Sequence, residues 1–130
     1  AATIYAVRGG LPVKRVVFLG PVNAVHGPDR FARFMKMGAE CTDLFRANAQ
    51  ERLRETYSIL EGASVAANKE PPLLVYHDVD DLFVPVNDAR EIAATWKSSR
   101  YVETDGLGHH RILRSVRLRG AVGAQHRSVE

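Results

Sequence analysis

The sequence predicts an α/β fold: a partial parallel sheet of about three strands, joined by crossover helices, with a helical cap segment. Three observations carry this expectation. Short, nearly all-apolar runs alternate with longer stretches of helical period, the pattern of a parallel sheet with crossover connections. The apolar runs lack a polar face, as in strands covered on both sides. Two of them end in clusters of Asp, Gly and His, and open parallel sheets place their ligands beyond the carboxyl ends of the strands.

Each element follows in order. Ala1–Val7 reads as a piece of an apolar helix, ended by Gly9-Gly10. Lys14–Gly20 (KRVVFLG) is a short β-rich run closed by Gly20-Pro21 and is expected as a strand over 15–19. Gly27-Pro28-Asp29 opens a helix, with Pro at a tolerated early position. Phe31, Phe34 and Met35 share a face of it, and Gly38 stops it. Thr42 to Ile59 is a second helical stretch, with Leu44, Phe45, Leu53 and Tyr57 among polar residues. Leu73–His77 is the clearest strand. Asn87 is placed to cap a helix in which Ala89, Ile92, Ala93 and Trp96 recur at helical spacing. Arg100–Glu103 is a short strand, and a last helix is expected over 109–117.

Length and composition bound the rest. A chain of 130 residues is one domain's worth, and buries roughly two-thirds of its unfolded surface. With 45% apolar and 25% charged residues it excludes disorder and collagen as descriptions of the whole. No apolar run approaches the roughly 20 residues that span a bilayer, so no membrane partner is expected. There is no signal-peptide pattern, and a cytoplasmic location is expected. The one cysteine, Cys41, lies between helical runs and cannot form an internal disulfide. The net charge of +3 belongs to the end of the chain: residues 111–130 hold five Arg and one acid, Glu130. This basic tail contains no aromatic residue to stack on bases, which speaks against nucleic acid. Residues 115–130 also lack the apolar period of a closing helix.

Chemistry concentrates in two clusters. One is His77-Asp78-Val79-Asp80-Asp81-Leu82-Phe83-Val84-Pro85, directly after LLVY. The other is Asp105-Gly106-Leu107-Gly108-His109-His110, directly after RYVE. A carboxylate and an imidazole on neighbouring strand ends can hydrogen-bond. The carboxylate then fixes the tautomer and stabilises the imidazolium formed when His takes a proton. Gly106 and Gly108 allow the tight turn that frees the His side chain.

Strand-H-x-x-x-D-x-x-V-P, an amphipathic helix, a short strand and G-x-G-H resemble the C-terminal portion of the α/β-hydrolase fold, through His77, Asp81, Val84, Pro85, Gly106, Gly108 and His109. The resemblance implies that Asp81 is the acid and His109 the general base of a Ser–His–Asp triad. It also implies that RVVFLGP is the strand after the nucleophile's helix, that residues 28–60 form a cap, and that no cofactor or metal is needed. The substrate class it implies is carboxylic esters or related acyl compounds. Two departures stand out. The family usually has Gly where this chain has Asp78, and no G-x-S-x-G elbow occurs in residues 1–130. The expectation is therefore a truncated hydrolase or a fragment, inactive as the isolated chain, whose nucleophile would lie ahead of residue 1. Its first strand would leave an unpaired edge, open to self-association or to the missing half.

Other readings compete. Gly62-Ala63-Ser64-Val65-Ala66 puts Ser64 ahead of Asp81 and His109 in the family's chain order, but Pro71-Pro72 leaves no room for the helix an elbow needs. Ser64 is the lesser candidate nucleophile, and a loop serine is its ordinary reading. Asp81 could be a turn residue and His109 a helix-start residue. Asp78-Val79-Asp80 resembles the D-x-D of Mg²⁺-dependent haloacid-dehalogenase-like phosphatases, though Leu82 stands where that family has Thr or Val. His77, Asp78, Asp80, Asp81, His109 and His110 are all possible metal ligands, though no H-x-H or H-E-x-x-H spacing is present. A catalytically inactive hydrolase-like chain with a binding role is the non-enzymatic alternative.

Overall fold

The computed structural model describes residues 2–60, apart from the side chain of Ile59, and residues 70–114. Ser64 and the tail 115–130 lie outside the described residues, as does the end of the helix expected over 109–117.

Three strands form one parallel sheet in the order β1 (Val16–Leu19), β2 (Leu73–Asp78), β3 (Ser99–Thr104). Val16 pairs with Leu73, and Leu73 with Ser99, so all three strands end at the same side of the sheet. The central strand is buried at every position, which is why LLVY carries no polar alternation. One face packs Val16, Leu73 and Val75 against Ile4 and Val7 of α1 (Ala2–Arg8) and against Ala89, Ile92 and Ala93 of α5 (Val86–Ala94), with Trp96 beside them. Burying a side chain such as Val75 or Ile92 stabilises by about 1.5–3 kcal/mol. The other face packs Leu74 and Tyr76 against Ile112, which follows the short helix α6 (Gly108–Arg111) in a 3-10 turn. The α/β class and the three parallel strands thus stand as the sequence predicts.

Residues 27–60 are helical throughout most of their length. They form α2 (Gly27–Phe34), α3 (Ala39–Arg52) and α4 (Arg54–Leu60). Four expectations need correction here. The single helical stretch expected from Thr42 to Ile59 is two, broken at Leu53, whose backbone leaves the helical region at φ −111° and ψ 23°. The expected Gly38 stop is instead the N-cap of α3, while α2 ends earlier, with Lys36 in the left-handed region at φ 54°. Cys41 is an exposed residue inside α3 rather than between helices. Asn87 does not cap α5, which starts one residue before it with Pro85 at the cap. Its side chain accepts from Arg90 instead, and the fixed φ of Pro85 does the work of starting the helix.

One buried polar anchor carries no signal in the sequence. Arg8, in the last turn of α1, is almost fully buried. Its Nε donates to Glu70 at 2.7 Å, its other nitrogens donate to the Leu60 carbonyl and to Thr95, and its guanidinium lies 4.7 Å over the Trp96 ring. One cation thereby ties α1 to α4, to the approach to β2 and to the end of α5. Among the described residues no helix is long and apolar enough to cross a membrane.

Candidate functional site

The loops after β2 and β3 meet at the carboxyl edge of the sheet. Nδ1 of His109 lies 2.7 Å from Oδ2 of Asp81. The two residues singled out from the sequence are therefore brought together, while Asp78 and Asp80 take other partners. The turn reading of Asp81 holds at the same time. Its Oδ1 accepts from the backbone N–H groups of Phe83 and Val84, both at 2.9 Å. The side chain is 1% exposed, and both oxygens are held. Burial pushes its carboxyl up, but the Val84 amide, the His109 ring and the Phe83 amide outweigh it and keep the carboxyl below its ordinary value. An ionised acceptor of this kind fixes the proton of His109 on Nδ1. Nε2 is left with its lone pair outward, on a side chain that is 31% exposed and without a hydrogen-bond partner for this nitrogen among the described residues.

Gly20 closes the third side. A Cβ built there would come within 3.3 Å of His109 Nδ1 and 3.6 Å of Asp81 Oδ2, and its φ of +56° is one that L side chains rarely adopt. All three strand ends thus converge on one Asp–His pair, and glycine is required where β1 approaches it.

Asp78 ends β2. It is fully buried and accepts four hydrogen bonds. These come from the Thr104 hydroxyl at 2.8 Å, the Leu107 amide at 3.0 Å, the Gly108 amide at 2.9 Å and the Asp80 amide at 3.1 Å. Burial raises its carboxyl, and the Gly108, Thr104, Leu107 and Asp80 donors more than offset that, holding it below the ordinary range. Asp80 takes the Gly106 amide at 2.9 Å. Two acids of the first loop therefore clamp the loop that presents His109. An attacking carboxylate needs an open oxygen, and both oxygens of Asp78 are buried and engaged.

His77 is also fully buried. Its Nε2–H donates to the Val84 carbonyl at 3.0 Å and stands 3.5 Å from Asp81 Oδ2, while its Nδ1 has no partner among the described residues. His110 is exposed and meets the rings of Phe83 and His109 edge-on. Among the described residues no three His, Cys, Asp or Glu side chains are grouped to hold a metal ion. The structural roles of Asp78 and His77 had one signal in the sequence, polar residues at the end of an otherwise apolar central strand.

No family model matches the sequence, and no curated protein matches it either. Among solved structures the chain is similar to one titled "The Structure of Rv0554 from Mycobacterium tuberculosis", at 14% sequence identity and a TM-score of 0.48. That alignment covers 95% of this chain and 60% of the other, so the chain spans about three fifths of that structure's length.

Proposed function

We propose that this chain carries the acid and base of an α/β-hydrolase-fold serine hydrolase acting on carboxylic esters or related acyl substrates. The observation that supports this reading best is the 2.7 Å Asp81–His109 hydrogen bond at the ends of two neighbouring parallel strands. In this reading Asp81 stays ionised and holds the imidazole with its proton on Nδ1. Nε2 of His109 accepts the proton of a serine hydroxyl as its oxygen attacks the acyl carbon, and later returns it to the leaving alcohol. Asp81 stabilises the imidazolium between those two steps. The serine comes from a segment outside residues 1–130, because no G-x-S-x-G occurs within them.

The reading also assigns a partner. β1 lies at one edge of the sheet with Val17 38% exposed, and an apolar edge pairs readily with another chain or segment. Self-association, or docking of the part that supplies the nucleophile, would occupy it.

The test is fluorophosphonate labelling of the full gene product that contains this sequence. Labelling at a serine upstream of residue 1, lost in His109→Ala, carries the reading. No labelled serine, with p-nitrophenyl butyrate left unhydrolysed, sinks it in favour of a binding role.

A further inference from the structure

His77 is a buried imidazole that the Asp81–His109 chemistry does not use. Only one of its nitrogens is satisfied. Nε2–H donates to the Val84 carbonyl at 3.0 Å, while the fully buried Nδ1 has no hydrogen-bond partner among the described residues. Glu103, its register partner on β3, bonds to Arg90 and Tyr101 instead. A buried polar atom left unpaired is costly, and an apolar residue would avoid that cost. The other nitrogen does what an apolar side chain cannot. His77 is the penultimate residue of β2, and Val84 closes the turn that carries Asp81. Nε2–H therefore ties the far end of that turn back to the strand. Val84 is held from both sides, its carbonyl accepting from His77 and its amide donating to Asp81 Oδ1 at 2.9 Å. The same Nε2 stands 3.5 Å from Asp81 Oδ2, the oxygen that accepts from His109 at 2.7 Å. At that separation it is an electrostatic contact rather than a full hydrogen bond. The two side chains are 0% and 1% exposed, so little water screens it. Oδ2 thus lies between two imidazoles, one buried and one partly open to solvent.

We propose that His77 is a positioning residue of the Asp81–His109 pair: its buried Nε2–H braces the turn at Val84 and faces Asp81 Oδ2, so that the carboxylate keeps this oxygen aimed at His109. The brace is anchored in the central strand, the most buried element of the sheet, and a base oriented by a carboxylate is only as fixed as the carboxylate itself. The role needs one donor and no more, since Nδ1 is bare. Joined to the hydrolase reading, on which this consequence rests, loss of the donor should lower kcat on p-nitrophenyl butyrate about tenfold and leave KM unchanged. A raised KM with kcat unchanged would place His77 in substrate binding and overturn the role.

The experiment is NMR of the full gene product that contains this sequence, its histidines labelled with nitrogen-15, as wild type, His77→Leu and His77→Gln. Leu fills the site without a donor, and the Gln amide can offer an N–H where Nε2 stands. In the wild type His77 should show the Nε2–H tautomer. A proton on its Nδ1 overturns the proposal with no variant needed. His77→Leu should speed exchange of the His109 Nδ1 proton with water about tenfold. His77→Gln should keep that exchange within about threefold of the wild type, a result that can be read even where the Leu variant fails to fold. A purely structural role would lower the melting temperature of both variants and leave the His109 proton as it is, which overturns the proposal. Equal acceleration in Leu and Gln overturns it too, because the donor would then not be the cause. The proton is read without any turnover, so the positioning role and fluorophosphonate labelling can each fail while the other stands.

Discussion

The amide of Gly108 donates to the fully buried carboxylate of Asp78 at 2.9 Å, across 30 residues of chain. With the Leu107 and Thr104 donors this fixes the backbone immediately before His109. Asp78→Ala should cost about 3 kcal/mol or more, because four partly buried donors lose their acceptor, each at the lower end of about 1–3 kcal/mol. Hydrogen exchange at the Leu107 and Gly108 amides should accelerate in the same variant. Urea unfolding with unchanged stability and unchanged protection would show that the clamp does not hold the loop.

Stability should fall in acid, with Asp78 and Asp81 contributing. Both carboxyls are held below their ordinary value of 3.8 in the folded chain. A depressed folded value means that the ionised form is favoured by folding. The contribution is complete above the unfolded value and is lost as pH falls through the folded one. Asp81→Asn should therefore flatten the stability curve below about pH 4, measured by thermal unfolding between acid and neutral pH. A wild-type curve that already stays level there would contradict the assignment.

The Asp81–His109 bond should be visible directly. In the wild type, nitrogen-15 spectra should place the neutral-ring proton of His109 on Nδ1. In Asp81→Asn the amide can offer a donor to Nδ1 and shift that proton to Nε2. An Nε2–H tautomer in the wild type would remove the base from the proposed chemistry.

Arg8→Ala should be among the most damaging single changes, destabilising by about 3–5 kcal/mol. It leaves Glu70, 6% exposed at its side chain, without its buried cation, and removes the stacking on Trp96. Chemical denaturation checks it. Arg8→Met, which keeps much of the apolar volume, should cost a similar amount if the unpaired carboxylate dominates.

Association through β1 should respond to charge. Val17→Lys places an ammonium on the exposed edge and should lower self-association in sedimentation velocity, a common way natural sheets protect edges. β3 already follows that rule, with Ser99, Arg100 and Glu103 exposed along it.

Much of this arrangement was legible from residue patterns. The strands announced themselves because burial on both faces demands continuous apolar runs. Topology puts successive strand ends side by side, while the choice of Asp81 and His109 within the two polar clusters came from the resemblance to the α/β-hydrolase fold. What escaped has a common physical origin. Arg8, Asp78 and His77 are polar residues whose burial depends on partners 7 to 87 positions away, and no local periodicity encodes such partners. The break at Leu53 escaped for another reason: α3 has exposed or half-buried residues throughout, so its apolar spacing carried little information about where the helix must end.

The register of the sheet also bears on the order in which the chain assembles. β2 finds β3 across 26 positions, Leu73 to Ser99, whereas β1 must find β2 across 57, Val16 to Leu73. The longer closure costs more chain entropy before any contact is gained, and such non-local pairings slow folding. Asp81 and His109 both belong to the β2–α5–β3–α6 part of the chain, and Gly20 directly follows β1, whose pairing closes the longer loop. The Asp–His pair can therefore form in a nascent subunit of the sheet, and the final docking of β1 seats a bare glycine backbone against an imidazole already in place.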